Sequence, residues 1–118
     1  MAKVFLIHWD PEVAQAWADR LMAAGFTVGV ESEDASRAYR TIRELEPDVV
    51  VANLDQDADR IHTAIESVHG TSWGREIPFI FVGGDEVSWF TLREQFPDAT
   101  FVEESELPAA LDALHLDG

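Results

Sequence analysis

The chain has 118 residues, 47% of them hydrophobic, enough to bury one core and too few for two. Twenty-three acidic against eight basic side chains give a formal charge of -15, which repels phosphate backbones and anionic lipid and argues against direct nucleic-acid or membrane binding. The absence of cysteine excludes disulfides and thiolate chemistry. No run approaches the roughly 18 apolar residues of a membrane span and no signal-peptide layout opens the chain, so a cytoplasmic protein is expected.

Lys3 to His8 (KVFLIH) reads as a buried strand. A helix follows, with Asp10 as cap, Pro11 at the first position, Val13, Trp17 and Leu21 at helical spacing, and Gly25 as the stop. Thr27 to Val30 is a second strand. Ala35, Ala38, Ile42 and Leu45 mark a second helix that ends before Pro47, and Asp48 to Ala52 (DVVVA) is a third strand. Its apolar run does not alternate, as expected where helices cover both sheet faces. A third helix between about Asp57 and His69 carries Ile61, Ala64, Ile65 and Val68. A loop over 70–77 precedes the strand Phe79 to Val82. Trp89, Leu92 and Phe96 mark a fourth helix, Thr100 to Val102 a short strand, and a last helix runs from about Leu107 to Leu116.

Five βα units in strict alternation predict one α/β domain over residues 1–118, a doubly wound (βα)5 three-layer sandwich. Its parallel five-stranded sheet takes the order 2-1-3-4-5. Sites in such sheets lie beyond the carboxyl ends of strands one and three. The residues to examine are therefore His8, Trp9, Asp10, Asn53, Leu54 and Asp55, with Gly83 and Glu104 nearby.

The segments LIHWDPEV at 6–13, Gly25-Phe26-Thr27-Val28, PDVVVANLD at 47–55, IPFIFVGG at 77–84 and DATFVEESEL at 98–107 stand in the order and spacing of a known family. With them the chain resembles the CheY-like receiver domains of response regulators over nearly its whole length. In that family two acids after strand one hold a divalent ion and an aspartate ending strand three accepts a phosphoryl group. A hydroxyl ending strand four and a lysine after strand five bind the phosphoryl oxygens. Carried over, these positions fall on His8 and Trp9, Asn53, Gly83 and Glu104, all of them replaced. The family's switch aromatic matches Phe101, whose usual hydroxyl partner is here Gly83.

The resemblance thus implies a pseudo-receiver, a phosphorylation-independent interaction module in two-component-type signalling that binds rather than catalyses and needs no cofactor or metal. Trp9 is expected to fill the ion's place with apolar area, and His8 to be a hydrogen-bonded, partly buried histidine. Two other readings compete. In one, a small ligand or ion binds at the strand ends through His8, Asn53 and Asp55, with Asp10 and Asp85 near the same edge. In the other, a register slipped by two makes Asp55 a working phosphoacceptor. Helices and solvated turns account for these aspartates more simply, as caps.

The family docks partners and dimerises through helix four, strand five and helix five, which places a protein partner or a homodimer contact on about 85–116, with Trp89, Arg93, Phe101 and Leu107 as candidates. Two motifs are set aside. Gly70-Thr71-Ser72-Trp73-Gly74 fits G-x-S-x-G but lies between a helix and a strand, the reverse of a nucleophile elbow, and Trp73 is expected to pack as a lid on the sheet edge or, as the alternative, to stand exposed as an anchor for a partner. Gly83-Gly84-Asp85-Glu86-Val87 is similar to the GGDEF signature of diguanylate cyclases without that family's length, and serves as a tight turn into a helix.

Overall fold

A computed structural model describes residues 2–114. Its elements are β1 (Lys3–Ile7), α1 (Pro11–Ala23), β2 (Thr27–Glu31), α2 (Ala35–Leu45), β3 (Val49–Asn53), α3 (Ala58–His69), β4 (Phe79–Val82), α4 (Glu86–Gln95), β5 (Thr100–Val102) and α5 (Leu107–Ala113), the last entered through a 3-10 turn at Glu104–Glu106. All strands are parallel in the order β2-β1-β3-β4-β5. Leu116, the expected end of the last helix, lies outside the described residues.

The two-residue strand period splits the core between the sheet faces. Phe5 and Ile7 of β1, Val50 and Ala52 of β3 and Phe79 and Phe81 of β4 meet Ala38, Ile42, Ile61, Ile65, Leu92 and Phe96 from α2, α3 and the α4 end. Val4, Leu6, Val49, Val51, Ile80 and Val82 meet Trp17 and Leu21 of α1 and Leu107 and Leu111 of α5 on the other. The five residues of β3 are buried throughout, as a central strand covered on both faces requires. In α1 the inward stripe is Ala14, Trp17, Ala18 and Leu21, while Val13 is 37% exposed, so the buried face starts one residue later than the spacing of Val13 suggested.

Asp10, Asp34, Asp57 and Asp85 cap α1 to α4, each accepting backbone N–H groups of its helix's first turn. Each such cap is worth about 1 kcal/mol, so part of the acidic excess is structural. Strand register then sets the carboxyl edge. Ile7 pairs with Ala52, Asn53 with Val82 and Val82 with Val102, so His8, Asn53, Gly83 and Glu103 emerge side by side.

Candidate functional site: the carboxyl edge of the sheet

His8 follows β1, is 4% exposed, and meets the Trp17 ring edge to face at 5.1 Å. Its Nδ1 accepts the Asp10 N–H at 3.1 Å, which leaves the neutral ring's proton on Nε2. Burial lowers its pKa from the ordinary 6.5, against the opposing pull of the Asp10, Asp55 and Glu104 carboxylates. A histidine depressed on folding binds more protons when unfolded, so its stabilising contribution is whole above about pH 6.5 and drains as pH falls through the folded value. Thermal unfolding between about pH 7.5 and 5.5 is expected to show this loss, with a flatter profile for His8→Asn. Equal slopes for the two proteins would refute it.

Trp9 lies half-buried against the core, its indole N–H is buried with no hydrogen-bond partner, and the Arg60 guanidinium sits 4.0 Å over its ring. Arg60 also donates to the Glu33 carbonyl, which ties α3 to the loop after β2. That loop is shaped by Glu31, a residue the sequence did not single out. Glu31 is 7% exposed and accepts the N–H groups of Glu33 and Asp34 at 2.9 and 3.0 Å and Arg37 Nε at 2.9 Å. Burial opposes its charge, and these hydrogen bonds outweigh that, holding its carboxyl below the ordinary range.

Asn53 ends β3 with 2% exposure. Its Oδ1 accepts the Asp55 N–H at 2.9 Å and its Nδ2 donates to Asp55 Oδ2 at 3.2 Å. Asp55 itself stands two residues past the strand, exposed at its rim, and turns back so that Oδ1 accepts the Gly84 N–H at 2.7 Å. Gly83 is buried with φ +75°, and a Cβ built there would lie 2.6 Å from both Asp55 carboxylate oxygens. A side chain at Gly83 is thus opposed by backbone shape and by the neighbouring carboxylate together. Glu104 turns away to the surface and pairs with Arg20 at 3.1 Å, both side chains more than half exposed, a contact worth about 0–1 kcal/mol.

A divalent cation of the kind the fold can hold does not suit these residues. Asp10 and Asp85 are used as caps, and the two residues that follow β1, His8 and Trp9, offer an imidazole and an indole in place of carboxylates. Among the described residues no group of three histidine or acidic side chains gathers in a metal-binding arrangement.

Beside this edge, Phe101 stacks on Phe81 at 5.1 Å and meets Trp89 at 5.8 Å, with the Arg93 guanidinium 4.9 Å over its ring. Trp89 is half-buried and its indole N–H donates to the Gly83 carbonyl. Arg93 is exposed. Leu107 is 7% exposed and sits in the core under α5, so it is withdrawn as a surface candidate. Among the described residues of this region the large exposed apolar side chains are Val87 at 75% and Phe90 at 67%, which the sequence reading passed over although they lie off the inward stripe of Leu92 and Phe96. Trp73 is half-buried, packing edge to face on Tyr39 of α2 at 5.4 Å and against the core beneath α2 and α3, and Ser72 is exposed in a loop. No described helix is long and apolar enough to cross a membrane.

No family model and no curated protein matches the chain. Solved structures do. The chemotaxis response regulator CheY4 of Vibrio cholerae is 17% identical with a TM-score of 0.78, over 97% of this chain and 98% of that one. A putative response regulator from Chloroflexus aurantiacus is 17% identical with a TM-score of 0.79, over 96% of each chain. The receiver domain of a sensor histidine kinase from Pseudomonas aeruginosa, solved with magnesium in its active-site cleft, is 14% identical with a TM-score of 0.72, over 96% of each chain. At these identities the likeness is one of architecture: the chain has the fold of response-regulator receiver domains.

Proposed function

We propose that this protein is a phosphorylation-independent receiver, an interaction module in two-component-type signalling that is not an enzyme. The observation that carries this reading is the state of the acceptor position, where a buried amide, Asn53, is bound to the Asp55 side chain instead of presenting a carboxylate. An amide is a far weaker nucleophile, and neither Gly83 nor Glu104 can steady an incoming phosphoryl group. Asp55 as acceptor is disfavoured because both its oxygens are engaged and it lies past β3. A small ligand at the strand ends is disfavoured for a related reason: His8 Nδ1, Asn53 and Asp55 are already satisfied from within the chain.

The partner contacts α4 on the face bearing Val87 and Phe90, beside a shallow hollow of about 350 Å³ lined by Glu86, Trp89, Phe90, Arg93 and Glu94. Two large apolar side chains this exposed on one short helix are the kind of patch that marks an interface. With a net charge of -15, a basic partner protein is favoured over a second copy.

Incubation with a small phosphodonor and magnesium, followed by intact mass, is expected to leave the mass unchanged. A phosphate adduct that disappears in Asp55→Asn overturns the reading. Phe90→Asp is expected to abolish partner capture from the native cytoplasm while leaving the melting temperature within about 2 °C, since the side chain is exposed.

A further inference from the structure

One side chain joins two loops at the carboxyl edge. Asp55, just beyond β3, accepts the Gly84 N–H at 2.7 Å on Oδ1 and the Asn53 amide at 3.2 Å on Oδ2. A carboxylate accepting from backbone N–H at this distance makes one of the stronger hydrogen bonds available at a surface. The β4–α4 loop is shaped to meet it. Gly83 and Gly84 have φ of +75° and +84°, a backbone that turns the Gly84 N–H toward Asp55 and leaves no Cβ at Gly83 to collide with the carboxylate. The same Gly83 gives its carbonyl to the Trp89 indole N–H, and Trp89 packs against Phe101. The contacts therefore run without a break from the end of β3, through Asp55 and the two glycines, into the first turns of α4.

We propose that the Asp55 carboxylate is a permanent latch, a positioning residue that pins the β4–α4 loop and, through Gly83 and Trp89, holds α4 in one arrangement with no covalent signal. Its consequence for partner binding rests on the docking face proposed above. The latch itself does not. Where a switching protein would need a group added at this edge to draw the two loops together, this chain carries a carboxylate two residues downstream of its acceptor position that already spans them. The α4 face is then presented constitutively, and neither a phosphodonor nor magnesium changes it.

The test uses the full chain, whose four tryptophans give four resolvable indole N–H signals in a nitrogen-15 spectrum, that of Trp89 assigned with Trp89→Phe. Asp55→Ala is expected to shift the Trp89 indole signal and to speed hydrogen exchange at that indole and at the Gly84 amide by about tenfold. Trp17, packed in the other half of the core, should keep its signal. Asp55→Asn retains an acceptor oxygen and is expected to recover most of the protection. If Asp55→Ala proves poorly folded, Asp55→Ser, too short to reach Gly84, takes its place. Unchanged Trp89 and Gly84 signals in a folded Asp55→Ala or Asp55→Ser protein overturn the latch. No partner enters this measurement, so its failure leaves the docking face standing, and a Phe90→Asp protein that still captures its partner leaves the latch standing.

Discussion

Threonine at Gly83 is expected to destabilise the fold by about 2–4 kcal/mol and to lower the melting temperature by roughly 10 °C. Two costs add. The left-handed backbone at φ +75° suits glycine, and a side chain there costs about 1–2 kcal/mol, with β-branching at the upper end. The new Cβ also lies 2.6 Å from both Asp55 oxygens, so the carboxylate must swing away and surrender its bond to the Gly84 N–H, a further cost of about 1–2 kcal/mol. The second cost vanishes if Asp55 is already gone. In a cycle of Gly83→Thr, Asp55→Ala and the double variant, the double is expected to be more stable than additivity allows by about 1 kcal/mol. Strict additivity in chemical unfolding would mean that the carboxylate does not rest on Gly83. A hydroxyl side chain at Gly83 is therefore expected to displace the Asp55 carboxylate from its place beside the glycine.

The fold could be read from the chain because its signals are local and agree with one another. The unbroken VVVA of β3, Asp10 before α1, and Pro11 and Pro47 at a helix start and end each fix a boundary. The carboxyl edge was legible for the same reason to within a residue, since the expected strand from Asp48 to Ala52 stops one short of the Asn53 that ends β3. What fills the site was not legible. Asp55 meets Gly83 and Gly84 across 28 and 29 residues, and its return depends on two positive φ values that a Gly-Gly pair permits without requiring. Arg60 over Trp9 is likewise a tertiary contact, made by a residue that reads only as an exposed charge near the start of a helix. On α4 and α5 the periodicity did hold the answer. Leu107 and Leu111, four apart, bury together, while Val87 and Phe90 fall off the stripe of Leu92 and Phe96. A partner surface placed by resemblance cut across that stripe, which is why it included Leu107.

Asn53→Asp, the change that puts a carboxylate at the end of β3 where the proposed function places a lost acceptor, is expected to destabilise the protein near neutral pH by about 2–4 kcal/mol rather than to create a working site. Asn53 is 2% exposed and its Nδ2 is the donor to Asp55 Oδ2 at 3.2 Å. Replacing that donor with a second anionic oxygen removes a hydrogen bond and sets two carboxylates in contact. The sign of the pH dependence follows. The introduced acid has its pKa raised on folding by burial and by Asp55, so the folded state holds the extra proton and the deficit grows as pH rises from the ordinary carboxylate range toward neutrality. The variant is therefore expected to approach the parent's stability near pH 4 to 5 and to fall away above it, the opposite slope to that of His8. Adding Asp55→Ala should restore much of the loss at neutral pH by removing the like charge. Intact mass after exposure to a phosphodonor should still show no adduct, since the hydroxyl and ammonium contributions remain absent at Gly83 and Glu104. An Asn53→Asp protein as stable as its parent at neutral pH would show that the amide bond to Asp55 contributes little, and with it would go the physical reason for an amide at the end of β3.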